Sequence, residues 1–218
     1  MLGFPYRHGN VAHWPEFINN CPASTYARAD LSATVHTTRR CEDPDVKTLL
    51  ITGAAQGIGL ATARRYAAQG WFVGIYDVNR DAIASHLESA DFPNACGDYC
   101  DVTDYNSIAA MIEHFSSHTG GRLDLLVNNA GVLSTGRFED IDHHAHQTMV
   151  DVNMAGATHT LQLAYPLLQQ TPRATVVNLC SASSIHGIPR LAVYSASKFY
   201  INGLPKHWRW SGKTGTFA

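Results

Sequence analysis

Tyr194 and Lys198 stand four residues apart. On a helix that spacing puts both side chains on one face. A free tyrosine has a pKa of about 10, too high for a base near neutral pH. An ammonium nearby favours the phenolate and brings the group toward the useful range. Tyr194 could then take a proton from an alcohol or give one to a carbonyl. Ser181 lies 13 residues before Tyr194, just past an apolar run. Its hydroxyl can hydrogen-bond a substrate oxygen as charge develops there. Taken singly, the Tyr and Lys would be a half-exposed helix pair and Ser181 a strand-end cap.

A second group sits far upstream. Thr52-Gly53-Ala54-Ala55-Gln56-Gly57-Ile58-Gly59 follows the apolar run Leu49-Leu50-Ile51 and opens a helical stretch. Glycines there allow a tight turn and close backbone approach, and the helix N-terminus offers unpaired N–H groups to a pyrophosphate. Out of that context the pattern would be an ordinary glycine-rich turn. Asp77 lies 18 residues after Gly59, at the end of a second apolar run. A carboxylate there can accept from an adenosine ribose and repels a 2′-phosphate, so NAD is expected in preference to NADP. An aspartate ending a strand is also a common turn residue, and Arg80 stands close by.

These residues resemble the short-chain dehydrogenase/reductase family in its commonest form. Thr52 to Gly59 matches its T-G-x-x-x-G-I-G pattern. Asp101-Val102 resembles its adenine-contacting pair, and Asn128-Asn129-Ala130-Gly131 its N-N-A-G segment. Asn153 falls where the family keeps a catalytic Asn, and Tyr194 to Lys198 is its Y-x-x-x-K. The resemblance covers residues 47 to about 204. It implies a catalytic set of Asn153, Ser181, Tyr194 and Lys198. It implies cofactor contacts from Thr52, Gly53, Gln56, Gly57, Ile58, Gly59, Asp77, Asp101, Val102, Asn129, Ala130, Gly131, Tyr194 and Lys198. Lys198 would hold the nicotinamide ribose and Asn153 would anchor a water in a proton relay. The substrate would be a secondary alcohol or ketone. Hydride transfer belongs to the cofactor, while the protein supplies orientation and electrostatics. By position, Val132, Leu133, His186, Leu191 and Val193 line a mostly apolar pocket.

The elements that must position these residues can be read from periodicity. Strands are expected near 49–51, 71–77, 95–101, 123–128 and 174–179, with helices at 57–69, 81–89 and 142–168. Ile108, Met111, Ile112 and Phe115 recur at i, i+3, i+4 and i+7, one apolar helical face. Such alternation implies an α/β fold, a Rossmann-like doubly wound parallel sheet with helices on both faces. Other features have bland readings. His143, His144 and His146 are a solvated loop or helix start, and Cys96 and Cys100 are core thiols. No metal is expected. Gly156 suits close packing on a neighbouring helix, and the resemblance allows a homo-oligomer through the long helices.

Composition narrows the class. Lys+Arg 16 against Asp+Glu 18 leaves a net charge of −2, which fits neither a nucleic-acid binder nor a polybasic membrane binder. Charged residues make up 16% and hydrophobic ones 45%. No run of apolar residues reaches a membrane span, and five scattered cysteines read as reduced cytoplasmic thiols. Residues 1–45 lack periodicity and read as a poorly ordered arm, with a transit peptide as the weaker alternative; a start codon upstream of the family-like Val46 would explain them. Residues 46–204 read as the NAD-binding catalytic domain, incomplete at its C-terminal side. Pro205 and the non-amphipathic text of 205–218 fit no expected element and resemble a shifted reading frame. The family's sixth strand, substrate-covering loop and last strand are therefore expected to be missing. That leaves a second reading: a dinucleotide-binding or interaction protein without catalysis, or an inactive fragment.

Overall fold

The computed structural model of the chain describes residues 41, 43, 45–207 and 216–217. The expected arm falls almost wholly on residues outside these. Six parallel strands form one sheet: β1 (Thr48–Thr52), β2 (Phe72–Asp77), β3 (Ala95–Tyr99), β4 (Leu125–Asn128), β5 (Thr175–Asn178) and β6 (Thr216–Phe217). Their order is β3-β2-β1-β4-β5-β6. The direction of winding reverses between β1 and β4, and in open α/β sheets ligands bind beside such a point, at the carboxyl ends of the strands.

Burial on both faces explains why these strands read as apolar runs instead of alternating ones. All five residues of β1 are buried. Leu49, Ile51, Val73, Ile75, Leu125 and Val127 face one core, which the helices α1 (Gly57–Ala67) and α2 (Arg80–Glu88) cover with Ala63, Ala67 and Ile83. Leu50, Phe72, Tyr76, Leu126 and Val176 face the other. There α3 (Tyr105–Thr119) contributes Ile108, Met111, Ile112 and Phe115, the face expected from spacing. The ends are set by side chains. Asn79 accepts from the Ala82 N–H at the start of α2, and Asp104 accepts from Asn106 at the start of α3. Gly120, at φ 60°, ends α3 in the left-handed region.

The single helix expected over 142–168 is three segments. α4 (His143–Val150) starts at the Asp142 cap, so the histidine-rich stretch is a helix start. A π-helical turn (Asp151–Gly156) follows, and then α5 (Ala157–Gln170). Gly156 closes on the loop after β3 and not on another helix: an added Cβ would lie 2.9 Å from the Val102 carbonyl oxygen.

α6 spans Ala192–His207 and so passes through Pro205. Proline has no N–H to bond back to the carbonyl one turn earlier, and with only two helical residues after Pro205 that loss falls in the last turn. Thr216 and Phe217 pair with Thr175 and Val176. The expectation that residues 205–218 fit no element is corrected in these two respects. The expected absence of a sixth strand is corrected with them: among the described residues β6 adds two residues to the sheet beside β5. Among the described residues no helix is long and apolar enough to cross a membrane.

One core contact is unusually specific. Gly74 leaves room for the Phe115 ring: an added Cβ would sit 2.5 Å from Phe115 Cδ2. Phe115→Ala should cost about 3–5 kcal/mol, the usual range for a buried ring. Gly74→Ala should destabilise the unaltered chain by about 1–3 kcal/mol through overpacking, and much less in the Phe115→Ala background. Urea denaturation of the four proteins measures that coupling.

Candidate active site

The glycine loop is built by close approach of backbone to backbone. Gly53 and Gly57 have φ values of 67° and 59°. A Cβ on Gly59 would lie 2.1 Å from the Gly53 carbonyl oxygen, and one on Gly53 would lie 2.8 Å from Ala130 Cα. No side chain fits at either place. Gly57 is different, because a Cβ there would meet nothing within 4 Å. Its open side lies at the N-terminus of α1, where no side chain caps the helix and the first turn holds no acidic residue. The first-turn N–H groups are thus left to an external acceptor. This fits the pyrophosphate of a dinucleotide.

Asn129 ties the loop to β4. Its Nδ2 donates to the carbonyls of Thr52 (2.9 Å) and Gly53 (2.8 Å). In return, Thr52 Oγ1 accepts from the N–H groups of Asn129 (3.3 Å) and Ala130 (3.2 Å). Asp77 is fixed from both sides. One carboxylate oxygen accepts from the Ala55 N–H in the glycine loop and the other from Asn79, each at 3.0 Å. The second bond is the ordinary aspartate turn; the first aims the carboxylate at the loop. Lone pairs remain for ribose hydroxyls. Arg80 turns away toward β3, with Nε 3.3 Å from Asp98 and its guanidinium 5.5 Å from the Tyr99 ring centre.

Asp101 and Val102 have structural partners. Asp101 Oδ1 accepts from the Thr103 N–H and hydroxyl, and Val102 is buried against Gly156. Ile58 is 64% exposed beside Gly57, and Gln56 is exposed at the same turn.

Lys198 is the centre of the second group. It is only 5% exposed, and its Nζ donates to the Leu179 carbonyl at 2.8 Å. Burial pulls its pKa below the ordinary lysine value, partly opposed by the nearby Cys180 thiol. The same Nζ lies 5.7 Å from the Tyr194 ring centre, and a Cβ on Gly131 would lie 3.6 Å from it. Tyr194 itself is half-buried. Asn153 sits in the π turn, a feature often found at functional sites. Its Oδ1 accepts from the Val132 N–H (2.8 Å), and its Nδ2 donates to the Val132 carbonyl (2.9 Å) and to Ser197 Oγ (3.1 Å). Ser197 Oγ donates to the Tyr194 carbonyl at 2.7 Å. Asn153 therefore reaches the backbone of Tyr194 through one hydroxyl.

Ser181 follows β5 and caps a 3-10 turn (Ala182–Ser184). Its Oγ accepts from the Ser183 N–H at 3.2 Å. Asn202 on α6 donates to the Ser184 carbonyl at 3.1 Å, so α6 grips the chain on both sides of Ser181. Val132, Leu133 and His186 are exposed, and Leu191 and Val193 half-buried. Two residues escaped the sequence reading. Ser197 lies one position before Lys198 and gave only a hydroxyl in a known motif. Asn178 pairs across the sheet with Asn128, whose Nδ2 donates to it at 2.8 Å. An asparagine ending an apolar strand was its one available signal.

With the geometry in hand, comparison with known proteins is decisive at family level. The family model described as short chain dehydrogenase matches residues 47–213. The chain belongs to the short chain dehydrogenase family. It is 32% identical over 164 residues to the 3-oxoacyl-[acyl-carrier-protein] reductase FabG of Thermotoga maritima, covering 74% of this chain and 66% of that one. It is 30% identical over 164 residues to a 3alpha-hydroxysteroid dehydrogenase of Mediterraneibacter gnavus, covering 73% and 65%. Among solved structures, a short chain dehydrogenase/reductase from Burkholderia phymatum in complex with NAD superposes with a TM-score of 0.74 at 27% identity, over 80% of this chain and 64% of that one. The chain thus spans slightly under two thirds of these relatives' lengths. The Rossmann-like sheet of this short chain dehydrogenase is that of its relatives.

Thr52 gives a direct test of the loop's anchor. Thr52→Val keeps the shape and removes the oxygen that accepts from two backbone N–H groups. It should lower stability by about 1–3 kcal/mol, the cost of unsatisfied buried donors, read by chemical denaturation.

Proposed function

We propose that this chain is an NAD-dependent oxidoreductase. It transfers a hydride between the cofactor and a secondary alcohol or ketone, with Tyr194 as general acid/base. The observation that carries this reading is the convergence on the buried Lys198 ammonium of the Leu179 carbonyl, Gly131 and the Tyr194 ring. Burying a lysine is costly unless it is hydrogen-bonded, and a surface helix pair would have no reason to bear that cost.

When bound, the nicotinamide ring would supply the hydride chemistry. The chain's own residues do the rest. The uncapped start of α1 and the open side of Gly57 receive the pyrophosphate. Asp77, Asp101 and Val102 lie along the adenosine side, with Asp77 favouring NAD over NADP. The pairing of Arg80 with Asp98 supports that preference, since it draws the nearest cation away from a 2′-phosphate position. Lys198 donates to the nicotinamide ribose. Tyr194 takes the proton from the alcohol oxygen during oxidation and returns it during reduction. Ser181 Oγ hydrogen-bonds that same oxygen, and Asn153 keeps Val132 and the Tyr194 backbone in register. Residues 46–204 form this catalytic unit. Pairing of subunits through the long helices and a cytoplasmic location belong to the same reading, on family grounds.

Tyr194→Phe should reduce turnover by about 10²–10⁴-fold in an NAD(H)-linked screen of secondary alcohols and ketones. Its NAD titration, followed by tryptophan fluorescence, should be nearly unchanged. Retained turnover would overturn the assignment. NAD binding by the unaltered chain without any turnover favours a non-catalytic dinucleotide-binding module.

Asp77→Ala should weaken NAD binding by about 10–100-fold, the loss of charged hydrogen bonds. NADP binding should fall much less, in the same fluorescence titration.

A further inference from the structure

One cluster of ligand-type side chains lies apart from the active site. His114 and His118 are one helical turn apart on α3, with ring centres 4.5 Å apart. Cys96 projects toward them from β3. One ligand atom from each of the three lies within 4.8 Å of the others. Cys96 pairs with Gly74 in the sheet, well before the carboxyl end of its strand. The histidines lie in the last two turns of α3. The cluster is therefore at the opposite end of the sheet layer from the glycine loop.

We propose that Cys96, His114 and His118 form a binding site for a zinc-type divalent cation that pins α3 to the sheet. The donor set of one thiol and two imidazoles suits zinc or copper, not magnesium or calcium. A four-coordinate zinc, with bonds of about 2.0–2.3 Å, needs donors about 3.3–3.8 Å apart. Closure by about 1 Å completes the site and is within the reach of side-chain torsions.

The surroundings fit a metal better than a plain hydrogen-bond network. His118 Nδ1 lies 2.7 Å from the His114 carbonyl, so Nδ1 carries the proton and Nε2 is left as a lone pair. A metal-bound histidine almost always has such a partner on its other nitrogen. The Tyr76 hydroxyl is 2.8 Å from His114 Nδ1 and 3.6 Å from Cys96 Sγ, holding both in place. Burial pulls the His114 pKa down, with His118 adding to the effect and Asp98 opposing it. The buried Cys96 thiol, pushed up to about 12, is protonated without metal. On binding, the Cys96 S–H bond breaks, the proton leaves to solvent, and the sulfur lone pair forms the metal–sulfur bond.

The sequence held the signal. His114-Phe115-Ser116-Ser117-His118 is an i, i+4 histidine pair, and Cys96 reads as a core thiol only until that pair is brought beside it.

The test uses the full chain, freed of metal by chelation and titrated with Co²⁺ as the zinc probe. One Co²⁺ should bind with a thiolate-to-cobalt charge-transfer band that Zn²⁺ abolishes, and one proton should be released. Cys96→Ala and His118→Asn should each lose the band, while Cys41→Ala keeps it. Zinc-edge X-ray absorption on the unaltered, zinc-loaded chain should find one sulfur among the ligands, a measurement that needs no variant to fold. Absence of the band, its survival in Cys96→Ala, or a zinc shell without sulfur would each overturn the proposal.

Discussion

The tightest constraint in this molecule is the packing of the Gly53 carbonyl against the α carbon of Gly59. A methyl group at Gly59 would have to sit 2.1 Å from that oxygen. The loop closes because Gly59 has no Cβ to meet that carbonyl and Gly53, at φ 67°, has none to meet Ala130. Asn129 locks the arrangement by donating to two successive carbonyls, those of Thr52 and Gly53. Loss of either glycine side would also displace the Ala55 N–H that orients Asp77. The glycine turn, the Asp77 carboxylate and the end of β4 are therefore one mechanical unit.

The second half of the site depends on Lys198 in a comparable way. Its ammonium is buried and its carbonyl partner, Leu179, lies two residues before Ser181. Asn153 does the same for the opposite wall, clamping both backbone groups of Val132. The π turn makes this clamp reachable: one extra residue in the helical turn re-aims a side chain that an α-helix would direct elsewhere. Ser197 then links Asn153 to the backbone of Tyr194. Residues from β4, the π turn, β5 and α6 are thus cross-braced by hydrogen bonds between side chain and backbone.

Much of this was legible in the sequence. Apolar runs gave β1, β2 and β4, because strands buried on both faces leave few polar residues to obscure them. The α3 face was readable from its 3.6-residue period. The motif residues could be named because each needs a fixed spacing on one element. What could not be read depends on contacts between elements. The π turn is invisible in sequence, since Asp151 to Gly156 has ordinary helix composition and the turn exists through contacts with Val132 and Ser197. Gly156 looked suited to helix packing, yet its partner is Val102, about 50 residues away in the chain. Pro205 suggested an end to order, but a proline in a last turn removes few hydrogen bonds, and α6 continues to His207.

The two halves of the sheet are held by different physics. On the β3-β2-β1 side, strands pair over five residues and are covered by apolar helix faces. On the β5 side, β6 pairs through two of the described residues, Thr216 and Phe217. On its other side β5 pairs with β4 over four residues, and α6 is fixed to the end of β5 and the turn beyond it by Lys198 to Leu179 and Asn202 to Ser184. Removing the Lys198 side chain would leave the Leu179 carbonyl without this donor, and such a loss exceeds the net worth of the bond itself. Lys198 is therefore a fastener that holds α6 to the end of β5.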